Sequence, residues 1–119
     1  GGMDVAEALL AAAGTKRVLW VCSTDLSHDA PYKEAMAMDM RVRDAVAALD
    51  AKTLAEHLAS GQAEACGRRG LLTLLCLFAP GRHTARITAF TNSGDVVGAR
   101  SSRIVGYMSA VITENGGGT

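Results

Sequence analysis

At 119 residues, 49% of them apolar, the chain is long enough for one domain with a single core. Twelve basic and twelve acidic residues cancel, which removes the broad positive field that draws in nucleic acid or an anionic membrane. One Trp, two Tyr and two Phe are too few for a base-stacking platform, and the nearest thing to a basic cluster is Arg68-Arg69, so no nucleic-acid partner is expected.

Cys22, Cys66 and Cys76 form no Cys-x-x-Cys pair and are odd in number, which argues against a disulfide framework or a zinc ribbon and for a reducing compartment. Leu9 to Ala13 follows Asp4 and Glu7 with no basic start, unlike a secretory leader. Leu71 to Ala79 is too short to span a bilayer. The expectation is a soluble, cytoplasmic protein with no membrane partner. Gly1-Gly2 and Gly116-Gly117-Gly118-Thr119 read as frayed ends, with residues 1–3 and 115–119 expected to be disordered.

Asp4-Val5-Ala6-Glu7 has a capping residue with a glutamate three places on, and the Ala/Leu run behind it stops at Gly14. That pattern predicts a first helix near 5–13. Thr15-Lys16 leads into Arg17 to Cys22, where Val18 to Val21 is near-continuously apolar and predicts a strand covered on both faces. Such strands belong to parallel α/β sheets, whose ligands bind beyond the carboxyl ends. Asp25 and His28 fall at that end.

Pro31 is placed to open a helix near 32–49. Met38, Val42, Ala45 and Leu49 share one face of it, and Met36, Met40 and Ala47 fall roughly opposite, so it is expected to be covered on two sides. Asp39 and Arg43 lie between the stripes and can pair at i, i+4. Asp50 can cap a short helix near 51–60, with Leu54 and Leu58 inward and Gly61 at its end. His57 on that helix has no carboxylate or cysteine nearby in sequence and reads as structural.

Cys66-Gly67-Arg68-Arg69-Gly70 leads into Leu71 to Phe78, an apolar run stopped by Pro80-Gly81 and read as a buried helix. Thr84 to Thr91 alternates polar with apolar and predicts a strand, Asn92-Ser93-Gly94-Asp95 a turn, and Ile104 to Ile112 a second strand. Gly106 within it marks a bulge or a close backbone approach. The predicted order is α-β-α-α-α-β-β, an α/β chain with few strands for its helices.

Two places can carry chemistry. Asp-x-x-His at Asp25 and His28 is a weak pattern that serves equally as a capping carboxylate beside an incidental loop histidine. Cys66 sits just before a helix, where free amides, the helix dipole, Arg68 and Arg69 all favour a thiolate. The plain alternative is a small residue packing a turn, and it applies more strongly to Cys22 and Cys76. Oxygen, nitrogen and sulfur from Asp25, His28 and Cys66 form a mixed donor set suited to iron, copper or zinc. A Cys-His-Asp triad is the other formal possibility, though no family-specific nucleophile signature surrounds Cys66.

Ser23-Thr24-Asp25-Leu26-Ser27-His28, Ala65-Cys66-Gly67, Thr91-Asn92-Ser93-Gly94-Asp95 and Val105-Gly106-Tyr107, in that order, resemble the motif series of the Memo-like family. That family includes the bacterial AmmeMemoRadiSam system protein B and is similar in fold to class III extradiol dioxygenases. The resemblance implies a partial α/β/α sandwich with a small mixed sheet and a non-haem metal pocket for iron or copper. It also implies that Cys66 matches the family's cysteine ligand, with Asp25 and His28 lining the same pocket as ligands.

The match covers the family's C-terminal half; the histidines that complete the metal site belong to the other half, and His57 and His83 match no ligand position. The expectation is therefore a truncated or split Memo-like protein. Its pocket is vestigial, or is completed by a homo-oligomer or a complementary chain. If completed, it would bind a small-molecule substrate for metal-assisted oxygen chemistry, with His28 moving protons and Asp25 orienting it. The competing expectation is a non-catalytic interaction module, and a third is a cysteine-based enzyme using Cys66.

Overall fold

A computed structural model describes residues 2–98 and 103–115. In chain order the elements are α1 (Gly2–Ala13), α2 (Tyr32–Ala47), α3 (Ala51–Ser60), α4 (Arg68–Cys76), β1 (His83–Asn92), α5 (Ser93–Val97) and β2 (Gly106–Glu114). The α/β class expected from the sequence is the class observed. α2 packs against one side of an antiparallel β1-β2 pair, and α3 and α4 share the core that this side lines.

The helix ends follow their sequence signals where those are strong. Asp50 accepts the Thr53 amide at 3.0 Å and the Thr53 hydroxyl at 2.7 Å, fixing the start of α3. Gly61 closes the helix at φ 78°, a conformation other residues resist. Leu54 and Leu58 point into the core as expected, joined by Val42, Ala45, Val46, Leu49, Leu71 and Leu75.

β1 and β2 pair from His83 opposite Glu114 to Asn92 opposite Gly106, with a bulge at Thr88. The bulge shifts the alternation by one residue. Ala85 and Ile87 face the core before it, Phe90 after it, opposite Met108, Ala110 and Ile112.

Several expectations need correction. Arg17 to Cys22 forms no strand; the segment joins no ladder among the described residues, and Leu19 and Val21 are 87% and 79% exposed. A strand needs a hydrogen-bonded neighbour, and the one described sheet has just two strands. The sheet is accordingly antiparallel rather than mixed, and the observed order is α-α-α-α-β-α-β.

The turn expected at 92–95 winds into the short helix α5, because the Asn92 side chain accepts the Asp95 amide at 2.8 Å. α1 begins at Gly2, so Asp4 lies inside its first turn rather than capping it, and Met3 is helical rather than frayed. Residues 1 and 116–119, also expected to fray, lie outside the described residues.

α2 is covered along one side. Ala35, Asp39, Val42 and Val46 form its buried arc, while Met40 and Ala47 are exposed. Asp39 consequently does not pair with Arg43. The Arg43 guanidinium instead meets Asp44 at 3.0 Å and lies 5.0 Å over the Phe90 ring. α4 is also one-sided: Leu71 and Leu75 are buried, and Leu72, Thr73 and Leu74 are only half-covered. No helix among the described residues is long and apolar enough to cross a membrane.

Candidate functional site

The loop 23–30 is the hub of the molecule because it is stitched on both sides. Towards β2, the Leu26 amide donates to the Gly106 carbonyl at 2.9 Å and the Gly106 amide to the Ser27 carbonyl at 3.0 Å. The Ile104 amide continues the row by donating to the Ala30 carbonyl at 3.0 Å. Towards α4, the Cys66 amide donates to the Asp25 carbonyl at 3.1 Å, and the Gly67 amide to the Thr24 hydroxyl at 2.8 Å. A Cβ on Gly67 would lie 3.0 Å from the Thr24 Cβ and 3.1 Å from the Ser23 carbonyl oxygen. Glycine there is what lets the two backbones meet.

This stitching presents the Cys66 sulfur to two donors. The Asp25 amide lies 3.2 Å from Sγ and the Thr24 hydroxyl oxygen 3.4 Å. The Thr24 hydroxyl accepts from Gly67 and holds a single proton, which it can give to the Asp25 carbonyl at 2.8 Å or to the thiolate, while a protonated Cys66 would itself donate to Thr24. The Thr24 hydroxyl and then the Asp25 amide hold the Cys66 thiol below the ordinary cysteine range, with the Gly67 amide adding to them. Cys22 moves the opposite way, pushed up by burial and by the charge of Cys66. Cys66 is exposed, whereas Cys22 and Cys76 are half-buried.

Asp25, His28 and Cys66 line one cleft of about 370 Å³, with Glu64 and Arg68 at its wall and Leu26 and Leu58 among its apolar lining. Sequence thus brought the three candidate residues to one place. Their mutual geometry is looser than a triad. The carboxylate that meets the His28 ring is that of Asp29, 3.5 Å from Nδ1, and the other oxygen of Asp29 lies 3.6 Å from Arg103 Nε. His57 binds the Gln62 side chain at 3.1 Å, and His83 sits edge-on to Phe78 beside the Ala79 backbone, so neither lines this cleft.

Iron or copper, the metals the resemblance implies, would need these donors to converge on one point. Among the described residues no group of three or more His, Cys, Asp or Glu side chains is arranged to hold a metal ion. The Cys66 sulfur is turned to Thr24 and Asp25, and the His28 ring to Asp29. Oxygen, nitrogen and sulfur share a cleft here without converging on a point. These residues do not by themselves fit a closed metal site.

Two further residues matter to the cleft and escaped the sequence reading. Thr24 stands inside the first quoted motif, yet nothing in sequence shows its hydroxyl reaching Cys66 forty-two positions away. Asp39 is 1% exposed and accepts both the Ser27 amide at 2.9 Å and the Ser27 hydroxyl at 3.0 Å. A signal for it existed: Ala35, Asp39, Val42 and Val46 recur at helical spacing, and a carboxylate on an otherwise apolar arc demands a partner.

Comparison with known proteins bears on the same residues. Residues 2–111 match the family model described as Memo-like protein. The chain is 35% identical over 98 residues to a MEMO1 family protein of Thermotoga neapolitana, covering 82% of this chain and 34% of that protein. A MEMO1 family protein of Thermotoga sp. strain RQ2 is 34% identical over 110 residues, covering 92% and 38%. One of Archaeoglobus fulgidus is 31% identical over 112 residues, covering 92% and 42%. The chain therefore spans about a third to two fifths of the length of these relatives. No solved structure gives a significant match.

Proposed function

We propose, because the chain belongs to the Memo-like protein family, that it carries one wall of a Memo-like pocket and works when a second copy or a complementary chain completes it. The observation that supports this is the cleft itself. A sulfur with a lowered proton affinity shares a cleft with a carboxylate and an imidazole, the latter two on a loop tied both to β2 and to the Cys66 segment. In the completed pocket Cys66 supplies a soft sulfur donor or a nucleophile, the Thr24 hydroxyl and the Asp25 amide favour its charged form, and exposed His28 can exchange protons with a small-molecule substrate. Iron or copper would need donors beyond these three, so no step is routed through either.

Two measurements test the reading. Alkylation of the wild type by iodoacetamide across pH should show Cys66 titrating below the free-thiol value of about 8.5; a value at or above it removes the thiolate and with it the proposal. Anaerobic loading with iron(II) or copper(I), followed by desalting, should leave less than about a tenth of an equivalent on the isolated chain. A full equivalent, lost in C66A, would replace the half-site with a self-contained metal centre. A second reading, a non-catalytic interaction module, is favoured by the exposed apolar side chains of Leu19 and Val21. It predicts that Cys66→Ala leaves association with the partner untouched.

A further inference from the structure

The Asp39 carboxylate is a puzzle on its own terms. It is buried on the apolar arc of α2 and both its oxygens are taken by Ser27 alone. Among the described residues no lysine or arginine pairs with it, and a buried carboxylate without such a partner is costly to keep. The opposite wall is backbone: a Cβ on Gly106 would overlap the Asp39 carboxylate, so the β2 chain runs directly against the acid. A charge this confined has to be doing something an apolar residue could not.

We propose that Asp39 is the positioning residue of the Cys66 cleft, setting the 25–28 loop so that the Asp25 amide and the Thr24 hydroxyl reach the sulfur. This inference rests on the Cys66 reading above. The path is continuous. Asp39 grips both donors of Ser27; the Ser27 carbonyl and the Leu26 amide pair with Gly106; and Asp25, next along, both donates to the Cys66 sulfur and accepts from the Cys66 amide. An alanine at position 39 would keep the arc apolar but leave the Ser27 amide and hydroxyl unpaired in the core. The loop would then swing to find other partners, and the two donors on Cys66 would move with it. Asp39 is not among the residues lining the cleft, so its role is through Ser27 and not chemical.

The test uses the full chain and two readouts: Cys66 alkylation by iodoacetamide at pH 7, and hydrogen exchange of individual amides. In D39A the amides of Leu26 and Cys66 should exchange about tenfold faster while those of Leu58 and Leu75 keep their protection. Alkylation of Cys66 should slow by about threefold or more as its donors withdraw. D39N, which can still accept the Ser27 amide through its carbonyl oxygen, should bring both readouts back to within about twofold of wild type. Unchanged exchange and alkylation in D39A overturn the inference, as does a D39N as impaired as D39A. Should D39A fail to fold, Ser27→Ala and D39N decide: S27A must slow alkylation and D39N must not. Failure of the underlying reading looks different, because wild-type Cys66 would then react no faster than glutathione at the same pH, whatever position 39 holds.

Discussion

Two aspartates show how one residue type acquires opposite roles from its surroundings. Burial raises the proton affinity of Asp39; the Ser27 amide and hydroxyl oppose this, and Glu64 adds to it. The Thr53 hydroxyl and amide lower that of half-buried Asp50, with Lys52 helping. Linkage fixes the signs. The Asp39 contribution is complete below the unfolded carboxylate pKa of about 3.9 and is lost as pH rises through its higher folded value. The Asp50 contribution is complete above that same pKa and is lost as pH falls through its lower folded value. Thermal melts from pH 3 to 7 should show D39N gaining on the wild type as pH rises, while D50A falls further behind. Parallel curves for either variant would mean that its carboxylate feels the same environment folded and unfolded.

At the scale of elements, the loop 23–30 holds its place because β2 runs against α2 at a residue with no side chain. Gly106→Ala forces the Asp39 carboxylate and the β2 backbone apart, and overpacking of this kind costs about 1–3 kcal/mol. The same substitution in a D39A background meets a smaller neighbour and should cost less than half as much, a coupling that urea unfolding of the four proteins would measure. Equal costs in both backgrounds would mean that the acid and the glycine do not meet. The contact also shows what sequence could and could not disclose. Gly106 stood out as a close approach, and Asp50, Gly61, Leu54 and the two strands were legible because caps, left-handed glycines and alternation are local signals. Spacing offers Asp39 only Arg43 as a possible partner, because helical spacing describes only one helix. Its true partner, Ser27, lies on a different segment and was brought there by the fold. Thr24 was missed for the same reason.

For the whole molecule, the informative error is Arg17 to Cys22. Its apolar, β-branched pattern describes a strand with sheet on both sides, and the folded chain leaves that demand unmet. Val18, Leu19 and Trp20 stand across from Ala110, Val111 and Ile112 as walls of a cleft of about 220 Å³, close to β2 yet joined to no ladder. Burying one such side chain stabilises by about 1.5–3 kcal/mol, so exposed Leu19 and Val21 leave a large gain available to association. A second copy is the occupant to test first, because the same segment on each copy can then cover its counterpart. Sedimentation velocity should show the wild type associating as its concentration rises from about 10 μM to 1 mM, a range suited to weak, apolar contacts. L19K/V21K should sediment as a monomer throughout, since two desolvated ammonium groups would oppose closure. Helical content and Cys66 alkylation should stay those of the wild type, because neither substituted side chain lines the Cys66 cleft. A wild type that remains monomeric to 1 mM would remove self-association as the means of completing the pocket and leave a different, complementary chain as the partner to seek. If both proteins associate alike, the contact lies elsewhere on the surface and the unmet strand is not what drives it.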